Sequence, residues 1–339
     1  MRRERPLLAL LLAALTAVPA GCGGDGSPGQ RDGDELTVYS GRAQDLVGPL
    51  YDRFERATGI DVKVRYGDSA ELAATIAEEG ERSPAEVFFA QDAGALGAVA
   101  AEGRLVRLPD GVLRQVDERF RDPAGRWVGV SGRARVIAYD TRRLEPDDLP
   151  ETVFAFTDRR WRGRIGLPPT NASFQAFVSA MRLSVGDART RAWLEGIKAN
   201  EPTLLENNVQ TLEAIARGEI EVGFVNHYYR YELRAERRDL PVANHHLRPG
   251  DPGSLVNVSG IGLLTGRPEA RRFAEFLLGV EGQRFFATDT FEYPLRPGVR
   301  PDAALRPLRE IQGPDISLGE LGAKLRSTVE LIQDVGLTP

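Results

Sequence analysis

The sequence predicts an α/β protein of two doubly wound lobes joined by a hinge that the chain crosses at least twice. Three observations carry this. An opening run alternates short apolar strands with amphipathic helices in the order β-α-β-α-β, which folds as a parallel sheet with right-handed crossovers. A second α/β run follows it, and 339 residues exceed one ordinary core. Between and after these runs lie apolar stretches that read as crossings: residues 126–130 and 135–139 leave the first lobe, and the Gly-punctuated stretch 256–264 returns to it.

In the first run, Leu36-Thr37-Val38-Tyr39 is a strand that breaks at Ser40-Gly41-Arg42. Leu46, Val47, Leu50, Tyr51 and Phe54 recur at helical spacing, and Thr58-Gly59 stops that helix. Ile60, Val62 and Val64 alternate with Asp61, Lys63 and Arg65, as a half-buried strand requires. Asp68 with Glu71 three residues on marks a helix entry, and the helix runs to Gly80. Val87-Phe88-Phe89-Ala90 is a third strand, and a small-residue helix runs from Asp92 through Ala100, capped by Gly103.

In the second run, Ile165-Gly166-Leu167 is a strand ending at Pro168-Pro169-Thr170-Asn171-Ala172-Ser173. Helices are predicted over 174–183 and 186–199, and Asn207-Asn208 precede another that ends at Gly218. Residues 222–225 form a short buried strand leading to Tyr228-Tyr229, which open a helix over 230–238. Helices over 268–278 and 281–287 follow. The first lobe is thus expected over 35–134 plus about 258–305, and the second over 135–257 plus about 306–339.

Ahead of the lobes, Met1-Arg2-Arg3-Glu4-Arg5 is basic, residues 7–18 are apolar, and Pro19-Ala20-Gly21-Cys22 is a small-residue exit. Residues 1–21 therefore read as an export signal, too short for a stable membrane span. Cys22 is the only cysteine, so no intramolecular disulfide forms. Its place resembles a bacterial lipobox, in which the thiol is lipidated and becomes the first mature residue. Pro19 departs from the leucine usual there, and an ordinary secretory signal with a chance cysteine is the alternative. Residues 22–34, rich in Gly, Asp and Ser, form a flexible tether. A net charge of -5 argues against a nucleic-acid partner, and 27% charged residues with 42% hydrophobic ones fit a globular chain.

The chemistry centres on Tyr228-Tyr229. Ligands of open α/β sheets collect at the carboxyl ends of strands, where helix N-termini also point. A helix N-terminus and a bound cation both favour a phenolate, and two phenolates are hard oxygen ligands for a highly charged metal such as ferric iron. Taken alone, an adjacent aromatic pair is more often ordinary packing. Enzyme readings are poor. Gly67-Asp68-Ser69 mimics a hydrolase motif, but no histidine stands in a matching late position, so Ser69 is better placed at a helix start, and Ser131 is no stronger. All three histidines fall in or soon after the tyrosine segment. His227 is expected behind the site or at the surface, and His245-His246 in a solvated loop.

Several segments, in colinear order over the mature chain, resemble the ferric-ion-binding periplasmic proteins of ABC importers. They include Val38-Tyr39-Ser40-Gly41-Arg42, the stretch 79–89, Ser131-Gly132-Arg133-Ala134-Arg135, Pro169-Thr170-Asn171-Ala172-Ser173-Phe174, Asn226-His227-Tyr228-Tyr229 with Asn208, and Glu292-Tyr293-Pro294-Leu295. The resemblance implies a type II periplasmic-binding fold. It also implies a monomeric, lipid-anchored extracytoplasmic receptor, in the periplasm or on the outer face of the cell membrane, which delivers ferric iron to an ABC permease and its ATPase.

In that family two adjacent tyrosines supply phenolate ligands, and these fall on Tyr228 and Tyr229. A synergistic carbonate or phosphate is implied at Asn171, Ala172 and Ser173, with Asn208 and Asn226 nearby and Arg42 and Arg133 matching carbonate-holding arginines. Some members carry a histidine and a glutamate where this chain has Ala43 and Gln91. Gln91 and Asp92 are two further candidates, Asp92 being equally a helix cap. Arg42, in a turn and off any apolar face, is expected to matter more to closure than to the fold. The rivals are a receptor for an organic or phosphonate-type anion and, from another class, a secreted serine hydrolase.

Overall fold

A computed structural model of the chain describes residues 35–338. The expected leader, the tether and Cys22 lie outside these residues. At the centre of the first sheet, β1 (Glu35–Ser40) runs parallel to β2 (Asp61–Tyr66) on one side and β3 (Val87–Ala90) on the other. The connections are α1 (Gln44–Thr58), α2 (Ser69–Glu79) and α3 (Ala93–Ala101). Their ends obey the sequence. Gly59 closes α1 in the left-handed region at φ 74°, while Asp68 and Asp92 cap α2 and α3 by accepting from Ala70 and Ala95 N–H. Val47, Leu50, Tyr51 and Phe54 form the buried face of α1, as their spacing requires.

After the single turn α4 (Asp110–Leu113) comes β4 (Trp127–Asp140), buried along its whole length. The sequence predicts two strands here, 126–130 and 135–139, with a break over 131–134; the segment is one strand. The glycines there make close approaches instead of a turn. A Cβ on Gly132 would meet Leu295 and Tyr293 at 3.2 Å, and the register shifts between Gly129 and Ser131 as a bulge. From Trp127 to Ala134, β4 pairs with β9 (Val256–Leu263); from Arg135 onward it pairs with β7 (Val222–Asn226) and β8 (Val242–His245).

The second sheet is completed by β5 (Ile165–Leu167), parallel to β7, and by β6 (Thr203–Leu204). Around it lie α5 (Ala172–Val185), α6 (Asp187–Ala199), α7 (Asn208–Arg217) and α8 (Tyr229–Glu236). The strand order through both sheets is β2-β1-β3-β9-β4-β7-β5-β6. The return segment 256–264 behaves as expected: β9 is antiparallel to both β3 and β4. After it come α9 (Pro268–Leu278), α10 (Val280–Thr288) and β10 (Tyr293–Pro294), which pairs with β4 at Gly132 and Ser131.

Five elements are not read from the sequence: α4, β6 and β10, each of two to four residues, together with β8 and a terminal helix, α11 (Leu321–Val335). β8 takes His245 out of the expected solvated loop and into a strand. The terminal helix buries Leu321, Leu331, Ile332 and Val335 and packs on α3 as well as on α5 and α6. Among the described residues no helix is long and apolar enough to cross a membrane.

Candidate metal centre

The site grows from the junction of β7 and α8. Phe224, in the middle of β7, meets Phe156 edge-on at 5.5 Å and Trp193 at 5.7 Å, and stacks on Phe177 at 6.3 Å. Buried aromatic pairs contribute about 0.5–1.5 kcal/mol each beyond their buried area, so the strand is firmly seated. Just past its end, Tyr228 adopts helical backbone and Tyr229 begins α8. Their rings stack with centroids 4.1 Å apart and planes at 29°. Tyr228 is buried and Tyr229 half-buried. Burial pushes both phenols up, and Arg42 and Arg133 pull them only partly back. Burial therefore favours the protonated phenol at both positions.

Four separate turns bring Arg42, Ala43, Gln91, Asn171, Tyr228 and Tyr229 to the lining of one cavity of about 760 Å³. Arg42 is 2% exposed and clasps Glu292 in a bidentate pair, with Nη1–Oε1 at 3.0 Å and Nη2–Oε2 at 2.8 Å. Burial alone would push its guanidinium down, but Glu292, Tyr228 and Tyr229 together raise it above its usual value. The expectation that Arg42 matters more to closure than to the fold is thereby revised: it is buried and holds a carboxylate 250 positions away, so it also serves the fold.

Behind the lining lies a buried polar layer. Arg133 sits with Nε 3.9 Å from Glu292 and Nη2 donating to Val258 O at 3.4 Å, while its Nε and Nη1 have no hydrogen-bond partner. Arg135 donates to Ser173 Oγ (3.2 Å), Asn226 Oδ1 (3.3 Å) and Phe224 O (2.8 Å). Burial and then the like charge of Arg133 lower its guanidinium to about 9. Asn171 caps α5, accepting from Ser173 N–H at 3.1 Å and from its hydroxyl at 2.6 Å. That cap starts the helix at Ala172, two residues before the expected start, and buries Ala172 in its first turn. Asn208 donates to Asn171 Oδ1 and Ser173 Oγ and accepts from Asn226 N–H, whereas Asn226 Nδ2 has no partner. The residues assigned to the anion thus gather in one place, with Arg42 and Asn171 at the cavity and the rest behind them.

The other candidates fall out differently. Gln91 lines the cavity, and its backbone N–H donates to Ser69 Oγ at 2.9 Å. Asp92 is buried as the cap of α3, and burial raises its carboxyl; it is not among the lining residues. His227 is buried behind the tyrosines and not at the surface. Its Nδ1 accepts from Ala134 N–H, so Nε2 carries the proton and donates to Phe291 O at 2.9 Å, while the ring stacks on Tyr293 at 4.7 Å. Burial and then His246 drive it down to about 3, so it is a neutral brace. His245 and His246 are half-buried, and His245 Nε2 bonds Pro150 O. Ser69 opens α2, and Ser131 pairs with the hydroxyl of Ser259; neither bonds a histidine among the described residues.

Sequence reasoning assigned no role to Glu292, Arg135 or Glu232. For Arg135 the signal was a charge inside a strand expected to be buried, which demands a partner. Glu292 lay between Phe291 and Tyr293-Pro294, a carboxylate in apolar surroundings. Glu232 follows the tyrosines by one helical turn; burial, with Glu292 second, raises it to about 8.

Two α/β sheets sharing one strand, with the site at the carboxyl ends of strands, define the type II periplasmic binding proteins. The model of the family described as bacterial extracellular solute-binding protein matches residues 83–310, and this chain belongs to that family. Iron-bound HitA from Pseudomonas aeruginosa superposes with a TM-score of 0.85 at 34% identity, over 89% of this chain and 99% of that one. A Trichodesmium protein (IdiA, FutA) in complex with iron and citrate ligands gives 0.78 at 28% identity, over 90% of this chain and 100% of that one. The major ferric iron-binding protein of Neisseria gonorrhoeae is 34% identical over 335 residues, 97% of this chain and 98% of the relative.

Proposed function

We propose that this protein is an extracytoplasmic carrier, not an enzyme, that captures ferric iron with a synergistic anion and delivers it to an ABC permease and its ATPase. The observation that carries the reading is the stacked pair Tyr228 and Tyr229 on a cavity that also receives Arg42. Once deprotonated by the metal, the two phenols offer hard anionic oxygens to a hard trivalent cation. The relatives named for ferric iron support the same cargo. The anion, carbonate or phosphate, is held by Arg42, Arg133 and the Asn171–Ser173 turn with Asn208 and Asn226. The unpartnered donors Arg133 Nε and Nη1 and Asn226 Nδ2 support an anion in that layer. The carrier acts as a monomer of two lobes, divided at about residues 134 and 258, and is tethered to the membrane through a lipidated Cys22.

Ferric salt added with bicarbonate should produce a visible phenolate-to-iron charge-transfer band. Tyr228→Phe with Tyr229→Phe should abolish it, because each change removes one anionic oxygen. A colourless wild-type protein, or a double variant with wild-type colour and affinity, would overturn the reading.

A further inference from the structure

We infer that Glu232 supplies a third protein ligand, a carboxylate, to the ferric ion; the inference rests on the reading of the cavity as a ferric site. Five carboxylates line that cavity: Asp45, Asp68, Glu232, Glu236 and Asp289. Asp45, Asp68, Glu236 and Asp289 are exposed, and two of these are engaged, Asp68 as the cap of α2 and Asp289 with Arg53 at 2.7 Å. Glu232 alone among the five is half-buried, and its Oε1 is shielded from solvent without any hydrogen-bond partner. The nearby Glu292 is no substitute. Both of its oxygens are taken by Arg42, one is also bonded by Thr290, and it is not among the lining residues.

Helix geometry puts Glu232 where a ligand belongs. It follows Tyr228 by four residues and Tyr229 by three, the spacings that share a helix face. Side chains on a helix lean toward its N-terminus, so this carboxylate leans back over the turn that carries the tyrosines. Charge argues the same way. Two phenolates match two of the ferric ion's three charges, and the synergistic anion is itself faced by Arg42 and Arg133, so a third anionic protein ligand still has a buried charge to pair with. Ala43 and Gln91, at the other wall, bring no anionic oxygen. Glu232 restores an anionic protein ligand from the tyrosine side instead.

Ferric titration of the purified full chain, read by affinity and by the charge-transfer band, tests this. Glu232→Gln should lower ferric affinity at least about tenfold, since even partners outside the ligand shell are worth about 10- to 100-fold in metal sites. It should also move the band to longer wavelength, because a metal that loses an anionic donor accepts phenolate charge more readily. Glu232→Asp should keep the band position and bind less tightly. Glu236→Gln removes the same charge from the same helix and should cost less, with the band unmoved. Should Glu232→Gln bind and absorb like wild type, or lose no more than Glu236→Gln without a band shift, Glu232 is not a ligand and the ferric reading stands. A wild-type protein without the band ends both.

Discussion

The two walls of the cavity differ in kind. On the α8 wall, two phenols and a half-buried carboxylate stand within one helical turn, all acidic oxygens. Across the cavity, the turns after β1 and β3 present Ala43 and Gln91, both neutral, and Arg42, already clasped by Glu292, while the carboxylates on that side, Asp45, Asp68 and Asp289, are exposed. One wall is therefore equipped to bind a cation directly, and the other to bind an anion. On the reading proposed above, a ferric ion would draw the walls together through an anion that touches both, which would give the synergistic anion a structural task as well as an affinity one.

The largest effect is expected where the second wall is anchored. Arg42→Ala leaves the buried Glu292 without its bidentate partner, with only Arg133 at 3.9 Å and Thr290 remaining, and should cost about 3–5 kcal/mol of stability in urea unfolding, as breaking a buried ion pair does. Glu292→Ala should cost a similar amount, and the double variant much less than the sum of the two. Additive losses would show that the pair does not act as a unit. Next, the neutral wall can be made like its opposite. Ala43→His with Gln91→Glu should raise ferric affinity about tenfold or more, equivalent to about 1.4 kcal/mol, in citrate competition without added bicarbonate. An unchanged affinity would mean that this wall never approaches the metal.

The smallest effect concerns Asp92, just outside the cavity. Burial holds its carboxyl above the usual aspartate range, so the native state binds this proton more tightly than the unfolded chain. Its contribution is fully present below about pH 4 and is lost as pH rises through the native value. Asp92→Asn keeps a competent cap for α3 and removes that loss, so it should be relatively more stable at pH 7 than at pH 3, with ferric colour unchanged. A colour change would return Asp92 to the ligand set.

What the sequence made legible was local. The caps at Asp68, Asp92 and Asn207 and the stops at Gly59 and Gly218 follow from short-range hydrogen bonding and backbone freedom, and they are where the spacing put them, whereas the Asn171 cap starts its helix two residues early. The strand–turn–helix bearing Tyr228 and Tyr229 was equally plain, because apolar periodicity ends there abruptly. The Arg42–Glu292 pair was not, since no local pattern records a contact spanning 250 positions. β4 was misread because Gly132 looks identical in sequence whether it breaks a strand or admits Leu295 and Tyr293 against one. Glu232 sat in a polar helix whose buried face only the tertiary packing reveals.

The continuity of β4 has a mechanical consequence. One strand is hydrogen-bonded into both sheets, and the handover falls between Ala134 and Arg135. The Ala134 N–H is bound by His227, the neighbour of Tyr228, and the Arg135 N–H by Leu255 O. A rotation of one sheet against the other would load the torsions of these few peptides together with those of Leu255 and Val256 beside them, much as a twisted rod takes up strain at its narrowest section. The brace behind the tyrosines is bonded to that section, so a swing of the sheets there would be passed directly to the residue that precedes the phenols.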